Sequence, residues 1–163
     1  QFHLDRADLK ACLAQSKAQL AIALPHWGLE MRSEPLRANR DLARRLAHCG
    51  FGLIVGSHPH MLQPVALSSG GLCAFSLGNF TYTLSNIASI GQSWRSCLSG
   101  LLEVRVKRRT GAISAYRLIP VVEWIDDQGC RLSRLCDYHG QHKEKYRLMI
   151  DNLFDDSASA ALA

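Results

Sequence analysis

The first third of the chain alternates short apolar runs with polar segments. Residues 20–24 and 51–55 are apolar runs of strand length, and a segment with helical periodicity lies between them. Pro35 suits the first position of that helix and Gly50 suits its end. A further helix is predicted to begin near Asp5. The order strand, helix, strand predicts a βαβ crossover, in which two buried parallel strands lie side by side and end at the same sheet edge.

The remainder of the chain changes to the pattern of antiparallel strands and then ends in a helix. Residues 63–67 and 72–75 flank a Ser-Ser-Gly-Gly segment, which predicts a hairpin. Residues 102–107 alternate apolar and charged side chains, and a turn at Thr110-Gly111 precedes a predicted strand over 112–122. Five apolar positions predict a terminal amphipathic helix: Tyr146, Met149, Ile150, Leu153 and Phe154. We predict an α/β fold, with one domain over residues 1–155 and a flexible tail over 156–163.

Composition adds little to this picture. Hydrophobic residues make up 47% of the 163 positions and charged residues 20%, as in ordinary globular proteins. The sequence has neither a long apolar run typical of a membrane span nor a signal-peptide pattern, and it lacks an initiator methionine, so we expect a fragment or processed piece. The net charge of +5 permits an anionic partner. The basic run 107–109 is interpreted as a solvated turn, and nucleic acid is not an expected partner.

The six cysteines indicate packing rather than a known cysteine motif. None of them forms a Cys-x-x-Cys pair, so neither a zinc ribbon nor a thioredoxin motif is supported. Cys12, Cys49 and Cys73 occupy apolar positions and are predicted to pack as small hydrophobic residues. The redox compartment stays open, because a chain of this size does not need a disulfide framework.

Three histidines follow the two predicted parallel strands. His26 comes after the first strand, and His58 and His60 come after the second. Because both strands end at one sheet edge, these side chains are expected to lie close together. Imidazole is the commonest protein ligand for zinc, manganese and iron ions. Gly28 lets the backbone turn closely around such an ion, and Pro59 restricts both itself and His58, which orients the flanking side chains.

Each of these histidines also has a simpler interpretation. A single histidine after a strand is more often an exposed or hydrogen-bonded residue, and a spacing of two merely places two rings on one side. Their convergence makes a metal site and ordinary histidines equally good interpretations of the spacing. The other four histidines lack this context and are predicted to face solvent: His3, His48, His139 and His142.

Four motifs together resemble a known family. His-Trp-Gly-Leu-Glu at 26–30, Gly-Ser-His-Pro-His at 56–60, Gln-Pro at 63–64 and Ser-Leu-Gly-Asn-Phe at 76–80 resemble, in order, the bacterial CapA (PgsA) family of capsule and poly-γ-glutamate synthesis. That family looks like a branch of the calcineurin-like metallophosphoesterases. The resemblance covers about residues 8–122 and implies the C-terminal half of an α/β/β/α sandwich. It adds Trp27, Glu30 and Asn79 to Gly28 as supporting residues of the site. Without it, Trp27 reads as a core aromatic, Glu30 as a solvated acid and Asn79 as a turn residue.

The resemblance also implies a site of which this chain holds one half. His26 matches the isolated ligand histidine of the metallophosphoesterase pattern, and His58 and His60 match its terminal segment, which makes these two the candidate catalytic residues. Such sites hold two divalent ions, of manganese, iron or zinc, that activate a bridging hydroxide for attack on phosphorus. The family's Gly-Asp, Asn-Leu-Glu and Asn-Asn-His segments do not occur here. A missing N-terminal half is expected to supply them with the central strands, so that the chain alone is inactive and has an exposed sheet edge.

Two functions follow from this resemblance. The first is a metal-dependent hydrolase that acts on a phosphoester or anionic polymer in cell-envelope biosynthesis. The second is a non-catalytic component of capsule assembly or polymer export, which keeps the fold and works with other envelope components. A nucleic-acid binder is a third and weaker idea, since only the net charge and the basic run motivate it. The resemblance implies that the parent protein is anchored to, or exported across, the bacterial membrane.

Overall fold

The computed structural model describes residues 6–68, 70–81, 94–126 and 129–155. Three predictions concern parts of the chain outside this description: the orientation of His3, the side chain of Phe154 and the flexible tail over 156–163. Within the described ranges, no helix is long and apolar enough to cross a bilayer.

The first layer of the fold is a four-stranded sheet with two helices. Its strands run in the order β1-β2-β4-β3. The β1–β2 and β2–β4 pairs are parallel, whereas β3 and β4 form an antiparallel hairpin. The elements are α1 (Arg6–Gln15), β1 (Ala21–Ala23), α2 (Arg37–Cys49), β2 (Phe51–Val55), β3 (Val65–Ser68) and β4 (Gly71–Ala74). The predicted βαβ crossover and hairpin are both confirmed.

Helix α2 begins later than predicted and ends where predicted. Leu36 lies at the N-terminal cap in an extended conformation, so Pro35 precedes the helix instead of occupying its first turn. The Leu36 amide donates to the Asn39 side-chain oxygen at 3.1 Å, which satisfies one free donor at the helix start. Gly50 ends the helix in the left-handed conformation, at φ 113°.

Strand β1 is not the fully buried strand that its apolar sequence predicts. It lies at an edge of the described sheet, next to β2. Ile22 is 50% exposed and Leu24 is 75% exposed. An apolar run reports hydrophobicity but not how many neighbours a strand has, which explains the wrong prediction. The result agrees with the expected exposed edge, and such edges favour pairing with a further strand.

The second layer is an antiparallel sheet covered by the terminal helix. Its strands are β5 (Leu98–Val106), β6 (Ile113–Asp126) and β7 (Gly129–Arg134), in that order, and α3 covers Lys143–Asp155. A short 3-10 helix at Trp94–Cys97 leads into β5. The sequence predicted β5, the first part of β6 and α3, all of which are confirmed. It missed β7, whose mostly polar residues pair with β6 through the backbone.

Two side-chain predictions outside the candidate site need correction. Cys12 is exposed on α1, whereas Cys49 and Cys73 are buried as predicted. His142 is half-buried instead of solvent-facing, because its ring packs 5.2 Å from the Trp94 ring, between centroids. His48 and His139 are exposed as predicted.

The basic run is confirmed as an exposed turn, in which the carbonyl of Lys107 accepts a hydrogen bond from the Gly111 amide at 2.8 Å.

The thiol of Cys130 on β7 is expected to react slowly despite its exposure. It donates to a Glu123 carboxylate oxygen, with Sγ and Oε1 2.9 Å apart. This bond favours the neutral thiol and is the main reason that the pKa of Cys130 is raised to about 11. Because the thiolate is the nucleophile, alkylation should accelerate about tenfold per unit as pH rises from about 8 toward that pKa. Iodoacetamide labelling followed by peptide mass spectrometry would measure the rate, with exposed Cys12 as internal reference. A Cys130 rate that does not change with pH would contradict this prediction.

Candidate metal centre

The segments that follow β1 and β2 stay paired beyond the strand ends. His26 and Ser57 form a parallel bridge. The Trp27 amide donates to the Ser57 carbonyl at 3.1 Å, and the Ser57 amide donates to the Pro25 carbonyl at 3.0 Å. These bonds hold His26 beside residues 57–60 at the carboxyl edge of the sheet. The prediction that the two histidine-bearing segments meet at one edge is therefore confirmed.

The two histidines around Pro59 have an unusual backbone conformation. His58 has φ 100° and His60 has φ 56°, both on the left-handed side that residues other than glycine seldom adopt. For His58 this departs from the general preference, since a residue before proline normally takes an extended conformation with negative φ. Each such residue costs on the order of 1–3 kcal/mol, and strained residues of this kind cluster at functional sites. The turn that presents the imidazoles is thus held against its local preference.

Buried Pro59 anchors this turn to the loop after β1. Its carbonyl accepts a hydrogen bond from the Met31 amide at 2.8 Å. A β-carbon at Gly28 would lie 3.5 Å from the Pro59 ring, so the two loops are in contact. Gly28 and Met31 both have positive φ, at 88° and 59°. These two residues fold the loop back over Pro59.

Three side chains bring possible ligand atoms together at this edge. One donor atom each from Glu30, His58 and His60 lies within 4.8 Å of the other two. His58 and His60 are half-buried and Glu30 is exposed, so the cluster is open to solvent. Two imidazoles and one carboxylate are a donor set that suits zinc, manganese or ferrous iron. The residues present therefore fit a divalent transition-metal ion.

His26 lies beside this cluster without joining it. Its ring centroid is 4.5 Å from that of His58, and its Nδ1 atom is 3.2 Å from the Ser57 hydroxyl oxygen. Its donor atoms are not part of the convergent set formed by Glu30, His58 and His60. The structure thus places all three predicted histidines at one edge, with the His26 ring in tilted contact with the His58 ring.

Asn79 fixes the orientation of His60. Its side-chain oxygen lies 2.8 Å from His60 Nδ1, and its side-chain nitrogen donates to the His60 carbonyl at 3.4 Å. Because an amide oxygen only accepts hydrogen bonds, Nδ1 carries the proton and Nε2 keeps its lone pair. Histidines that bind metals commonly donate their second ring nitrogen in this way. Sequence motifs pointed to Asn79 only through the family resemblance, and the structure gives it a physical role.

Trp27 and Gly56 pack against each other beneath the candidate site, where β2 ends. Trp27 is buried, and its indole nitrogen donates to the Phe75 carbonyl at 2.9 Å. A β-carbon at Gly56 would lie 2.2 Å from that same carbonyl oxygen and 2.3 Å from the indole nitrogen. Trp27 is the core aromatic that its sequence context indicates. Gly56 is required because a side chain at this position, directly after β2, would collide with the indole and the Phe75 carbonyl.

Sequence reasoning missed Met31 as part of the site, and it missed the contact that Ser57 makes with His26. Met31 clamps the two loops through its amide, and Ser57 contacts His26 through its hydroxyl. Both contacts depend on how the loops fold after the strands. The Gly-Ser-His-Pro-His motif contains Ser57, but no pattern in the sequence indicates the role of Met31.

Comparison with known proteins agrees with the motifs at this edge. Residues 3–83 match the model of a family described as bacterial capsule synthesis protein PGA_cap. Through these residues, the chain belongs to the bacterial capsule synthesis family. The matched range contains every residue of the candidate metal centre. The predicted CapA-like family membership is confirmed.

Two capsule or PGA biosynthesis proteins from Bacillus are similar to the chain. It is 33% identical over 96 residues to the PGA biosynthesis protein CapA of Bacillus subtilis (strain 168), which covers 58% of this chain and 23% of that protein. It is 35% identical over 68 residues to the capsule biosynthesis protein CapA of Bacillus anthracis, which covers 42% of this chain and 16% of that protein. The chain thus spans less than a quarter of the length of either relative.

Proposed function

We propose that this chain contributes the histidine half of a divalent-metal centre in a capsule biosynthesis protein, and that the complete centre hydrolyses a phosphoester. The observation that carries the proposal is the convergence of donor atoms from His58 and His60 within 4.8 Å of each other, with His60 oriented by a contact of 2.8 Å between its Nδ1 atom and the Asn79 side-chain oxygen. Two left-handed residues in one short turn support a functional role for it, since a purely structural loop gains nothing from this strain.

The residues of this chain would bind the metal ion and orient its ligands, whereas the ion would stabilise negative charge during the reaction. A bound divalent ion polarises a phosphoryl oxygen and neutralises negative charge that develops during displacement. His58 and His60 would hold the ion, and Asn79 would keep the proton of His60 on Nδ1. His26 lies beside His58 and is exposed, so it is available either to a second ion or to the substrate.

The full site would require groups outside this chain. The metallophosphoesterase resemblance implies that carboxylate and amide ligands of an N-terminal half would hold a second ion. This N-terminal half is the first partner that we propose for the chain. The substrate would be a phosphoester or a phosphate-containing anionic polymer, which the chain's net charge of +5 would attract. We propose that the parent protein works at the cell envelope with other biosynthesis components, which the names of the similar Bacillus proteins, for capsule and PGA biosynthesis, support.

Metal reconstitution of the full-length parent protein tests this proposal. The protein is stripped with a chelator, and hydrolysis of bis(4-nitrophenyl) phosphate is followed while Mn²⁺, Zn²⁺ or Fe²⁺ is added back. We expect no turnover in the stripped protein and recovery with at least one of these ions. Turnover that persists without metal would overturn the metal role. Stoichiometric metal binding without hydrolysis of this or any envelope phosphoester would favour the non-catalytic assembly function.

Asn79 variants separate ligand orientation from general damage to the fold. Asn79→Ala removes the acceptor for His60 Nδ1 and should lower metal affinity about 10- to 100-fold, as is typical for outer partners of metal ligands. Asn79→Asp keeps an acceptor oxygen at that place and should bind metal at least as well as Asn79→Ala, with most of the affinity retained. Isothermal titration calorimetry measures both. Equal affinity in Asn79→Ala and the unaltered protein would show that this contact does not orient a ligand.

A further inference from the structure

The loop after β1 brings a carboxylate to the two histidines. Gly28 and Met31 reverse the chain through positive φ angles, and the Met31 amide is bonded to the Pro59 carbonyl at 2.8 Å. Glu30 lies between these two residues. A carboxylate oxygen of Glu30 comes within 4.8 Å of a ring nitrogen on both His58 and His60. The loop that is hydrogen-bonded to the histidine turn therefore also positions the Glu30 carboxylate beside the two imidazoles.

Glu30 has no competing partner among the residues that the structure describes. The described ion pairs and side-chain hydrogen bonds of its own loop involve Glu34, which pairs with Arg40 at 3.1 Å, and not Glu30. An ionised carboxylate next to two imidazole nitrogens attracts a cation far better than imidazoles alone, since a neutral ligand set leaves the ion's charge uncompensated. Glu30 thus supplies the negative charge that a site made only of histidines lacks.

We propose that Glu30 is a metal ligand, and that Glu30, His58 and His60 form a complete three-ligand centre for one divalent transition-metal ion within this chain. This inference rests on the proposed metal site but goes beyond it, because it needs no residue from an N-terminal half. Two histidines and one glutamate are sufficient protein ligands for a catalytic zinc ion, which keeps its remaining position open to solvent. The exposure of Glu30 on the open side of the cluster fits such an accessible position.

Metal binding by the 163-residue chain itself tests this inference. Apo chain is titrated with Zn²⁺ by calorimetry, and Co²⁺ is added separately because its visible absorption reports the number and geometry of its ligands. We expect one ion per chain. Glu30→Gln keeps the size of the side chain but removes its charge, and it should weaken Zn²⁺ binding by about 100-fold or more, since even outer partners of ligands account for 10- to 100-fold. It should also change the Co²⁺ spectrum.

Glu34→Gln is the matched control, since Glu34 lies in the same loop and pairs with Arg40. It should leave the Zn²⁺ affinity and the Co²⁺ spectrum unchanged, and circular dichroism would verify that both variants are folded. If Glu30→Gln binds Zn²⁺ as tightly as the unaltered chain while His58→Ala does not, Glu30 is not a ligand but the proposed metal site stands. If the unaltered chain binds no ion, the three-ligand centre is refuted. Metal reconstitution of the full-length protein then decides the proposed function separately.

Discussion

Replacing His58 with alanine in the full-length parent protein is expected to lower the proposed metal-dependent phosphodiester hydrolysis by at least about 100-fold, because loss of the proposed direct ligand should exceed the effect of losing an outer partner. His58 is central to the cluster, since its ring lies next to His26 and its donor atom lies near those of Glu30 and His60. The assay measures initial rates at saturating Mn²⁺. Metal content is determined on the same samples, so that loss of the ion is distinguished from loss of catalysis by a loaded site.

Two further variants make this prediction specific. His48→Ala removes an exposed histidine on α2 whose ring nitrogen contacts the Arg44 carbonyl at 2.7 Å, and it should leave the rate unchanged. His58→Asn addresses the φ of 100° at this position, because asparagine tolerates positive φ better than alanine. If His58→Asn folds and still hydrolyses the substrate at the unaltered rate, His58 has no role in the metal centre.

Gly56→Ala is expected to destabilise the fold by about 3 kcal/mol or more, at the upper end of the usual cost of overpacking a core. The added β-carbon would meet the Phe75 carbonyl oxygen at 2.2 Å and the Trp27 indole nitrogen at 2.3 Å. These two groups are buried and joined by a hydrogen bond of 2.9 Å, which would break if either group moved away from the added β-carbon. Urea denaturation followed by circular dichroism measures the change in the free energy of unfolding.

Gly52→Ala, within β2 and four residues before Gly56, provides a control. The β-carbon would there lie 2.7 Å from the end of the Leu20 side chain, which can rotate away. We expect a change below about 1 kcal/mol, because a flexible contact relaxes and alanine reduces the entropy of the unfolded chain. Equal stability of the two alanine variants would mean that the indole does not pack against Gly56 as the structure shows.

Much of the fold was predictable because it depends on local patterns. The βαβ unit follows from two apolar runs and one helical period, and the hairpin follows from a Gly-Gly turn. Strand β7 was not predictable, since its residues Gly129–Arg134 are largely polar and its pairing with β6 is made through the backbone. The exposure of β1 was missed for a related reason, because hydrophobicity does not reveal which strand lies at the edge of a sheet.

The location of the candidate site was predictable, but the donor atoms that converge there were not. Topology alone brought His26, His58 and His60 to one sheet edge. Glu30 joins His58 and His60 only because Gly28 and Met31 reverse the intervening loop, and the positive φ of Met31 has no signal in the sequence. The left-handed conformation of His58 was also unexpected, since the following proline favours an extended one. Loop conformation, rather than residue spacing, determines which donor atoms meet.

The metal centre itself can be tested most directly by crystallography of this chain with Zn²⁺, using anomalous scattering at the zinc absorption edge. An anomalous peak is expected about 2.0–2.1 Å from a ring nitrogen of both His58 and His60. That peak should also lie within about 2.2 Å of a Glu30 carboxylate oxygen. Zinc found at exposed His48 or His139 while the edge formed by β1 and β2 remains without a peak would contradict the assignment of this site as a metal centre.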